Sequence, residues 1–403
     1  MSEFAPERAR RALLASLVVV WMGFTVLFPL LAPIGREMGL GELQITSIIA
    51  ASSLTVFLIT PIWGRISDRW GRKRVMLIGL FGFSFGTVLF NSVLTAGLDG
   101  VLFGPALYMV LIGARLMHAA VMSAAMPAAT AYMADITDVS NRTKGMGATG
   151  AASNLGSILG PALAGLAVIS LLTPLWVVAA LALLNGLLMW RLLPEAPRTW
   201  TPRPDRPRMR YTDPRILPFV IVGVTMFMGN ALVQQTMGFR FQDVLGLGTA
   251  DTAAVFGVAM MAAAASSLFS QAVIVQRFDV APFTLLRLAV PMMILAFVIM
   301  ALADTRWSLT LAMMIQGLGM GLAAPGFMAG ASLSVGPEEQ GAVAGVAGAC
   351  PPLGFTIGPL IGGALYQIDP VLPYTFAACV YVILLAFMQW LGRRVTVHSQ
   401  GIS

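Results

Sequence analysis

The sequence predicts an all-α membrane protein with twelve transmembrane helices in two pseudo-symmetric six-helix bundles. Three observations carry that expectation: the composition, the recurrence of long apolar segments, and an internal repeat. Of the 403 residues, 58% are hydrophobic and only 11% charged, with a mean hydropathy of +0.83. A soluble domain carries about a quarter charged residues, so here the apolar residues must make up most of the surface as well as the interior. A spanning helix needs roughly 20 mainly apolar residues. Such segments recur between Arg11 and Arg393, leaving little room for a soluble domain.

The first six spans are read at residues 11–35, 44–64, 75–97, 104–133, 145–171 and 174–193. The second six follow at 215–237, 251–275, 283–303, 308–334, 341–367 and 371–392. The first span is too long for a cleavable signal segment and lacks a small-residue cleavage site at its end, so it is expected to stay in the membrane. With the N-terminus placed in the cytoplasm, the cytoplasmic tails and loops hold 20 of the 25 Lys and Arg residues. The outside loops hold only Arg36, Arg240 and Arg306, while Arg115 and Arg287 lie within spans. That asymmetry follows the positive-inside rule and puts both termini in the cytoplasm of a bacterial inner (plasma) membrane. It also removes nucleic acid as a partner, because the net charge of +7 is spent on topology. Cys350 and Cys379 both fall in apolar segments, which gives neither a disulfide framework nor metal-ligand spacing. No cofactor or metal is expected, and no nucleophile–base constellation suggests an enzyme.

The longest basic loop, rich in Pro and Arg, falls at the midpoint of the chain. It divides the sequence into an N-terminal bundle (1–193), a linker (194–214) and a C-terminal bundle (215–403). A shift of 198 positions lays the fifth span on the eleventh, matching Gly156 with Gly354 and Gly160-Pro161 with Gly358-Pro359. The same shift puts Pro127 of the fourth span on Pro325 of the tenth. Two six-span halves joined by a basic linker form a transporter architecture, with the site expected near mid-membrane between the halves.

The segment after the second span reads Gly64-Arg65-Ile66-Ser67-Asp68-Arg69-Trp70-Gly71-Arg72-Lys73-Arg74. It resembles the signature loop of the major facilitator superfamily, G-x-x-x-D-R-x-G-R-K/R-x. Span count, repeat and linker extend the resemblance over the whole chain. The resemblance implies the major facilitator fold and a conformational latch built from Gly64, Asp68, Arg69, Gly71 and Arg72, with Asp135 at the end of the fourth span as partner. A topology anchor alone would explain the basic residues but neither Asp68 nor the glycines. The second-half copy, around Gln276 to Asp279, is degenerate. In the fifth span, Gly156, Gly160, Pro161 and Gly165 resemble the family's antiporter motif, although Ala164 stands for the first of its paired glycines. The complete Gly-Pro-x-x-Gly-Gly stands in the eleventh span instead. Small residues four apart let helices pack backbone to backbone, so the pattern also serves packing. In the fourth span Arg115 and His118 resemble the family pattern R-x-x-Q-G-x-G, with His118 in place of Gln and Ala119 in place of Gly.

The family's first, fourth, seventh and tenth spans line its cavity, and here they carry much of the deep polarity: Trp21 and Thr25, Arg115 and His118, Asn230 and Gln234, and Gln316. A charge at mid-membrane is expensive and faces the protein interior or a water-filled cavity. No Asp or Glu lies deep in any span. His118 is therefore the candidate proton carrier, because histidine titrates near neutrality. A fixed cation without a deep anion suits neutral or anionic substrates better than lipophilic cations, although family members that export cations keep the same arginine. The resemblance is to the twelve-span drug:proton antiporter branch. It implies a monomeric, proton-coupled exporter of a small amphipathic compound, drug-like or a metabolite such as a siderophore. An importer or uniporter, or a membrane sensor that has lost flux, is the alternative.

Overall fold

The structure, a computed structural model, describes residues 6–137, 142–194, 209–278 and 280–400; for Pro6, residues 142–146, Pro337 and residues 391–400 only the backbone is described. Asp279 and most of the linker, including Arg203 and Arg206, lie outside the described residues. The described residues hold helices and no strand. In order they are α1 (Pro6–Thr25), α2 (Leu27–Glu37), α3 (Glu42–Trp70), α4 (Arg72–Leu98), α5 (Gly104–Met122), α6 (Ala125–Asp135) and α7 (Arg142–Leu163). The remainder are α8 (Thr173–Leu192), α9 (Leu217–Leu245), α10 (Thr249–Phe269), α11 (Pro282–Leu302), α12 (Arg306–Leu333), α13 (Gln340–Ile368) and α14 (Leu372–Gln400). They supply twelve segments long and apolar enough to cross a membrane, with α1–α2 and α5–α6 each forming one span. Helices are the expected solution, since lipid offers no partner for an unpaired backbone N–H or C=O.

Three of the interruptions stand at or just before a proline. A proline cannot donate to the carbonyl four residues earlier and its ring crowds that carbonyl. Pro29 stands four residues after Thr25, where α1 ends, and Pro127 four after Ser123, where α5 gives way to α6. Beyond Pro161, α7 tightens into a 3-10 turn over Ala164–Val168. Pro325, the repeat equivalent of Pro127, leaves α12 unbroken. The segment read from the sequence as a loop between the second and third spans is almost entirely helical. Only Gly71 separates α3 from α4, with φ at 101°. That backbone conformation is open to glycine and strained for other residues, so the whole turn is made by one residue.

The chain divides into two compact units: Met1–Arg203 with Phe241–Met261, and Pro204–Arg240 with Ala262–Ser403. The unit boundary thus cuts α9 and α10 within their lengths. In the first unit, Leu13 and Leu17 of α1, Val75 and Leu80 of α4, and Ala128 and Tyr132 of α6 form a buried apolar core. Hydrogen bonds cross between helices in the same unit: Ser84 Oγ donates to Ala179 O at 2.8 Å, and Asn185 Nδ2 to Ser16 Oγ at 3.0 Å. In the second unit, Tyr381 donates to Met226 O at 2.9 Å. There Arg215, ahead of α9, bridges Asp213 at 2.8 Å and Glu339, ahead of α13, at 2.7 Å. Hydrogen bonding to Arg215 holds both carboxylates below their ordinary pKa values.

The repeated glycines form equivalent seams in the two units. In the first, α7 lies directly on the α1 backbone: a Cβ at Gly156 would stand 2.7 Å from Trp21 Cβ and 3.0 Å from Met22 N. One at Gly160 would stand 3.1 Å from Val26 N and would also strike Thr25 and Met22 O. In the second, a Cβ at Gly354 would stand 2.6 Å from Met228 N, and one at Gly358 3.0 Å from Leu232 N. The two seams reuse the same backbone atoms. However, α1 and α9 are related by 206 positions (Met22 to Met228) rather than the 198 of the fifth and eleventh spans. Gly165, by contrast, has nothing within 4 Å of an added Cβ. Gly160→Val should therefore destabilise the protein by about 1–3 kcal/mol, as overpacking does. The expected reading is a clear fall in melting temperature and in monodisperse protein on size exclusion. Gly165→Ala should leave both unchanged; if the two variants behave alike, the seam is not what holds α7 to α1.

Candidate functional site

Arg115 and His118 lie one turn apart on α5, a spacing that puts both side chains on one face. Both are buried, with 6% and 3% of their surfaces exposed. Arg115 Nη1 lies 2.9 Å from His118 Nδ1, and Arg115 Nε donates to Ser52 Oγ of α3 at 3.1 Å. Guanidinium can only donate, so Nδ1 accepts and the ring proton of the neutral imidazole sits on Nε2. That Nε2 is buried with no hydrogen-bond partner among the described residues. Two α4 rings brace the pair: Phe83 stacks on the imidazole with centroids 5.3 Å apart, and Phe90 lies 5.6 Å beneath the guanidinium carbon. Gly86 of α4 leaves room for the imidazole, since a Cβ there would stand 2.5 Å from His118 Cδ2. Among the described residues no carboxylate pairs with Arg115.

The α1 residues named from the sequence divide into two settings. Trp21 heads an aromatic ladder, edge-on to Phe24 at 5.8 Å, which is in turn edge-on to Phe28 at 5.5 Å. Its buried Nε1 has no hydrogen-bond partner among the described residues. Thr25 is instead folded into the seam against Gly160, with its hydroxyl donating to Trp21 O at 3.0 Å. That leaves it a packing residue with its donor already used. In the second unit Gln316 of α12 lies 3.5 Å from Asn230 of α9, nitrogen to oxygen. Gln234, one turn further along α9, buries an Oε1, and Gln235 an Nε2, that have no hydrogen-bond partner among the described residues. The seam offset of 206 positions sets Phe227, Asn230 and Gln234 where the first unit has Trp21, Phe24 and Phe28. Trp21 and Phe227 are aromatic in both units, whereas Phe24 and Phe28 are answered by the amides Asn230 and Gln234.

The latch residues meet around Arg72, at the start of α4. Its Nη1 lies 2.6 Å from Asp68 in the last turn of α3 and donates to Ser67 Oγ at 3.1 Å. Its Nε reaches Asp135 at the end of α6 at 3.2 Å. One cation therefore ties three helix ends together, across the joint that Gly71 makes. Gly64 lies inside α3, where an added Cβ would meet nothing within 4 Å beyond its own helix, and makes no turn. A second ion cluster was not singled out from the sequence. Arg36, at the end of α2, pairs with Glu42 at 2.7 Å and with Asp243 at 2.5 Å, all within the first unit. Arg36 and Asp243 stand 207 positions apart, and only the fold brings them together. A lone charge at each of several span ends was the one available signal.

The family model described as Major Facilitator Superfamily matches residues 13–350 and again 277–401. The chain belongs to the Major Facilitator Superfamily. It is 26% identical over 386 residues to multidrug resistance protein 1 of Bacillus subtilis, covering 93% of this chain and 94% of that one. It is 23% identical over 372 residues to the quinolone resistance protein NorA of Staphylococcus aureus, covering 90% and 91%. Among solved structures, a bacterial homologue of the human lysosomal transporter Spinster superposes with a TM-score of 0.73. There the identity is 15% and 98% of each chain is covered. As a member of this superfamily the protein is a multi-pass membrane transporter and not an enzyme.

The resemblance gives the cluster at Arg72 the part of a conformational latch, and Asp68 is where that expectation can be tested. Asp68→Asn is nearly isosteric and leaves Arg72 its bonds to Ser67 and Asp135. It should preserve expression and membrane insertion while lowering the initial transport rate several-fold. Transport by Asp68→Asn at the wild-type rate would reduce the segment to a topology anchor.

Proposed function

We propose that this transporter exports a small amphipathic compound across the bacterial inner membrane, by alternating access, as a monomer with H+ as the coupling ion. The observation that carries this reading is the alignment with proteins named for multidrug and quinolone resistance over nine-tenths or more of both chains. The Gly156–Pro161 segment, which resembles the antiporter motif, supports it. In an efflux-deficient bacterial host, expression should lower the accumulation of at least one compound from a panel of fluorescent dyes and quinolones. A proton uncoupler should abolish the difference. Unchanged accumulation across the whole panel would sink the export reading.

The direction of transport rests on both termini being cytoplasmic. Cysteines introduced at Ser2 and Arg206 should therefore resist impermeant thiol reagents in intact cells and react after permeabilisation. Labelling in intact cells would reverse every directional statement.

His118 is the proposed proton carrier. Its Nδ1 accepts from Arg115, so the imidazole can take a proton there only if that bond opens and the guanidinium moves aside. Protonation then separates two arrangements of one buried pair, which is what a coupling step requires. His118→Gln introduces the side chain that stands at the repeat-equivalent Gln316. In proteoliposomes it should abolish accumulation driven by an imposed pH gradient while sparing exchange down a substrate gradient. Full gradient-driven accumulation by His118→Gln would move the coupling to an acid at a span end.

A further inference from the structure

We propose that the Arg115–His118 pair is an anion-recognition site, and that the compound this protein moves is an amphipathic monoanion of the carboxylate class. The proposal rests on the export reading and narrows it. A guanidinium held at membrane depth is costly unless its charge is answered. In soluble interiors, too, a buried cation is ordinarily paired with a carboxylate. Arg115 is 6% exposed, and its described partners are all neutral: a serine hydroxyl, an imidazole nitrogen and a phenyl ring. The two hydrogen bonds use Nε and one N–H of Nη1, out of five guanidinium N–H donors. His118 presents one further donor, because the tautomer that accepts from Arg115 keeps its proton on the unpartnered Nε2.

What the pair leaves over is a fixed positive charge and N–H groups, with no free acceptor. That donor set answers a carboxylate, whose oxygens only accept, and rejects an ammonium group. The walls are apolar and rigid: Phe83 stacks on His118, and Phe90 underlies Arg115. Ser52 holds the Nε edge of the guanidinium from a third helix. Three helices of one unit therefore hold the donors in place before any ligand arrives, which reduces the ordering cost of binding.

The same assignment gives a role to the missing deep carboxylates. A monoanion leaving a cell whose interior is negative runs down the membrane potential, by about forty- to fifty-fold in equilibrium concentration ratio per 100 mV. Outward movement of such a substrate is thus driven whether or not a proton returns. A buried acid near Arg115 would compete with the substrate for the guanidinium.

The test uses three probes of one shape and different charge: 1-naphthoate, 1-naphthylmethanol and 1-naphthylmethylamine. Their equilibrium binding to the purified full-length protein is measured at pH 7.5 and low chloride. Naphthoate should bind at least about tenfold tighter than the alcohol, the scale of one charge-assisted contact, and the amine most weakly. Arg115→Gln should erase that preference and Arg115→Lys should keep part of it. Ser52→Ala, which only loosens the guanidinium, should weaken naphthoate several-fold; each variant is first checked for a native melting transition. Equal binding of all three probes, tighter binding of the amine, no binding of naphthoate, or naphthoate binding unchanged in a folded Arg115→Gln overturns the proposal. Should Arg115→Gln not fold, loss of the preference in Arg115→Lys together with unchanged binding in Ser52→Ala overturns it as well. These readings are independent of transport. A protein that pumps cationic dyes but ignores naphthoate disproves the anion site and keeps the exporter, whereas one that binds naphthoate and lowers no accumulation does the reverse.

Discussion

Glycine set directly against backbone is the contact on which both helix seams depend. Between two membrane helices there is no hydrophobic gain to be had, because lipid chains are as apolar as leucine; association comes from van der Waals contact and from small residues that let backbones meet. Gly156 and Gly160 bring α7 onto the α1 backbone at Met22 and Val26, and Gly354 and Gly358 bring α13 onto α9 at Met228 and Leu232. A side chain at any of the four would collide with main-chain atoms, which cannot swing aside as a flexible side chain can. Once α1 is fixed by α7, Trp21 and Phe24 are placed by its helical period. Asn230 and Gln234 follow from α9 in the same way.

On this shared frame the units differ in chemistry. Where the first has Phe24 and Phe28 in an aromatic ladder, the second has the amides Asn230 and Gln234. The fourth span of the first unit carries Arg115 and His118, where the tenth has Met313 and Gln316. The first unit therefore concentrates charge and rings, and the second neutral hydrogen-bonding capacity. Buried orphan polar atoms at Trp21, His118, Gln234 and Gln235 sit on these elements. A buried polar group without a partner costs free energy wherever it occurs, and binding of a polar ligand is one use that would keep such groups in place. The charge clusters are asymmetric as well: Arg72 ties α3, α4 and α6 in the first unit, while in the second Arg215 ties the approach to α9 to the start of α13.

Much of this was legible in the sequence, and the reasons are local. Apolar length alone specifies a spanning helix, so the twelve spans fall within a few residues of their expected ends in most cases. The repeat was legible because Gly-Pro is rare enough to align and its purpose requires it at the same height in both halves. The 206-position relation between α1 and α9 rests on a shorter match, Trp21-Met22-Gly23 over Phe227-Met228-Gly229, with no Gly-Pro to mark it. Depth and polarity alone put Thr25 among the cavity-lining residues, yet its hydroxyl is bonded to its own helix and lies against Gly160. Depth is a property of the helix, whereas facing depends on the neighbour. The basic segment around Gly71 was read as a loop because charge marks the membrane boundary. Lys and Arg are good helix formers, however, and α3 and α4 extend through it until one glycine breaks the run.

By itself the sequence determined that the chain crosses a membrane twelve times, that it is a repeated six-helix plan, and that one arginine and one histidine lie deep within it. These follow from hydropathy, period and spacing, all of which act over one or two dozen residues. Only the tertiary structure decided what those deep groups touch. That Arg115 meets Ser52 and His118 rather than an acid, that Arg72 joins Asp68 and Asp135, and that Arg36 reaches Asp243 are facts about which helix faces which. Helix facing is set by a few glycine contacts summed over the whole unit, and no local stretch of sequence contains that sum.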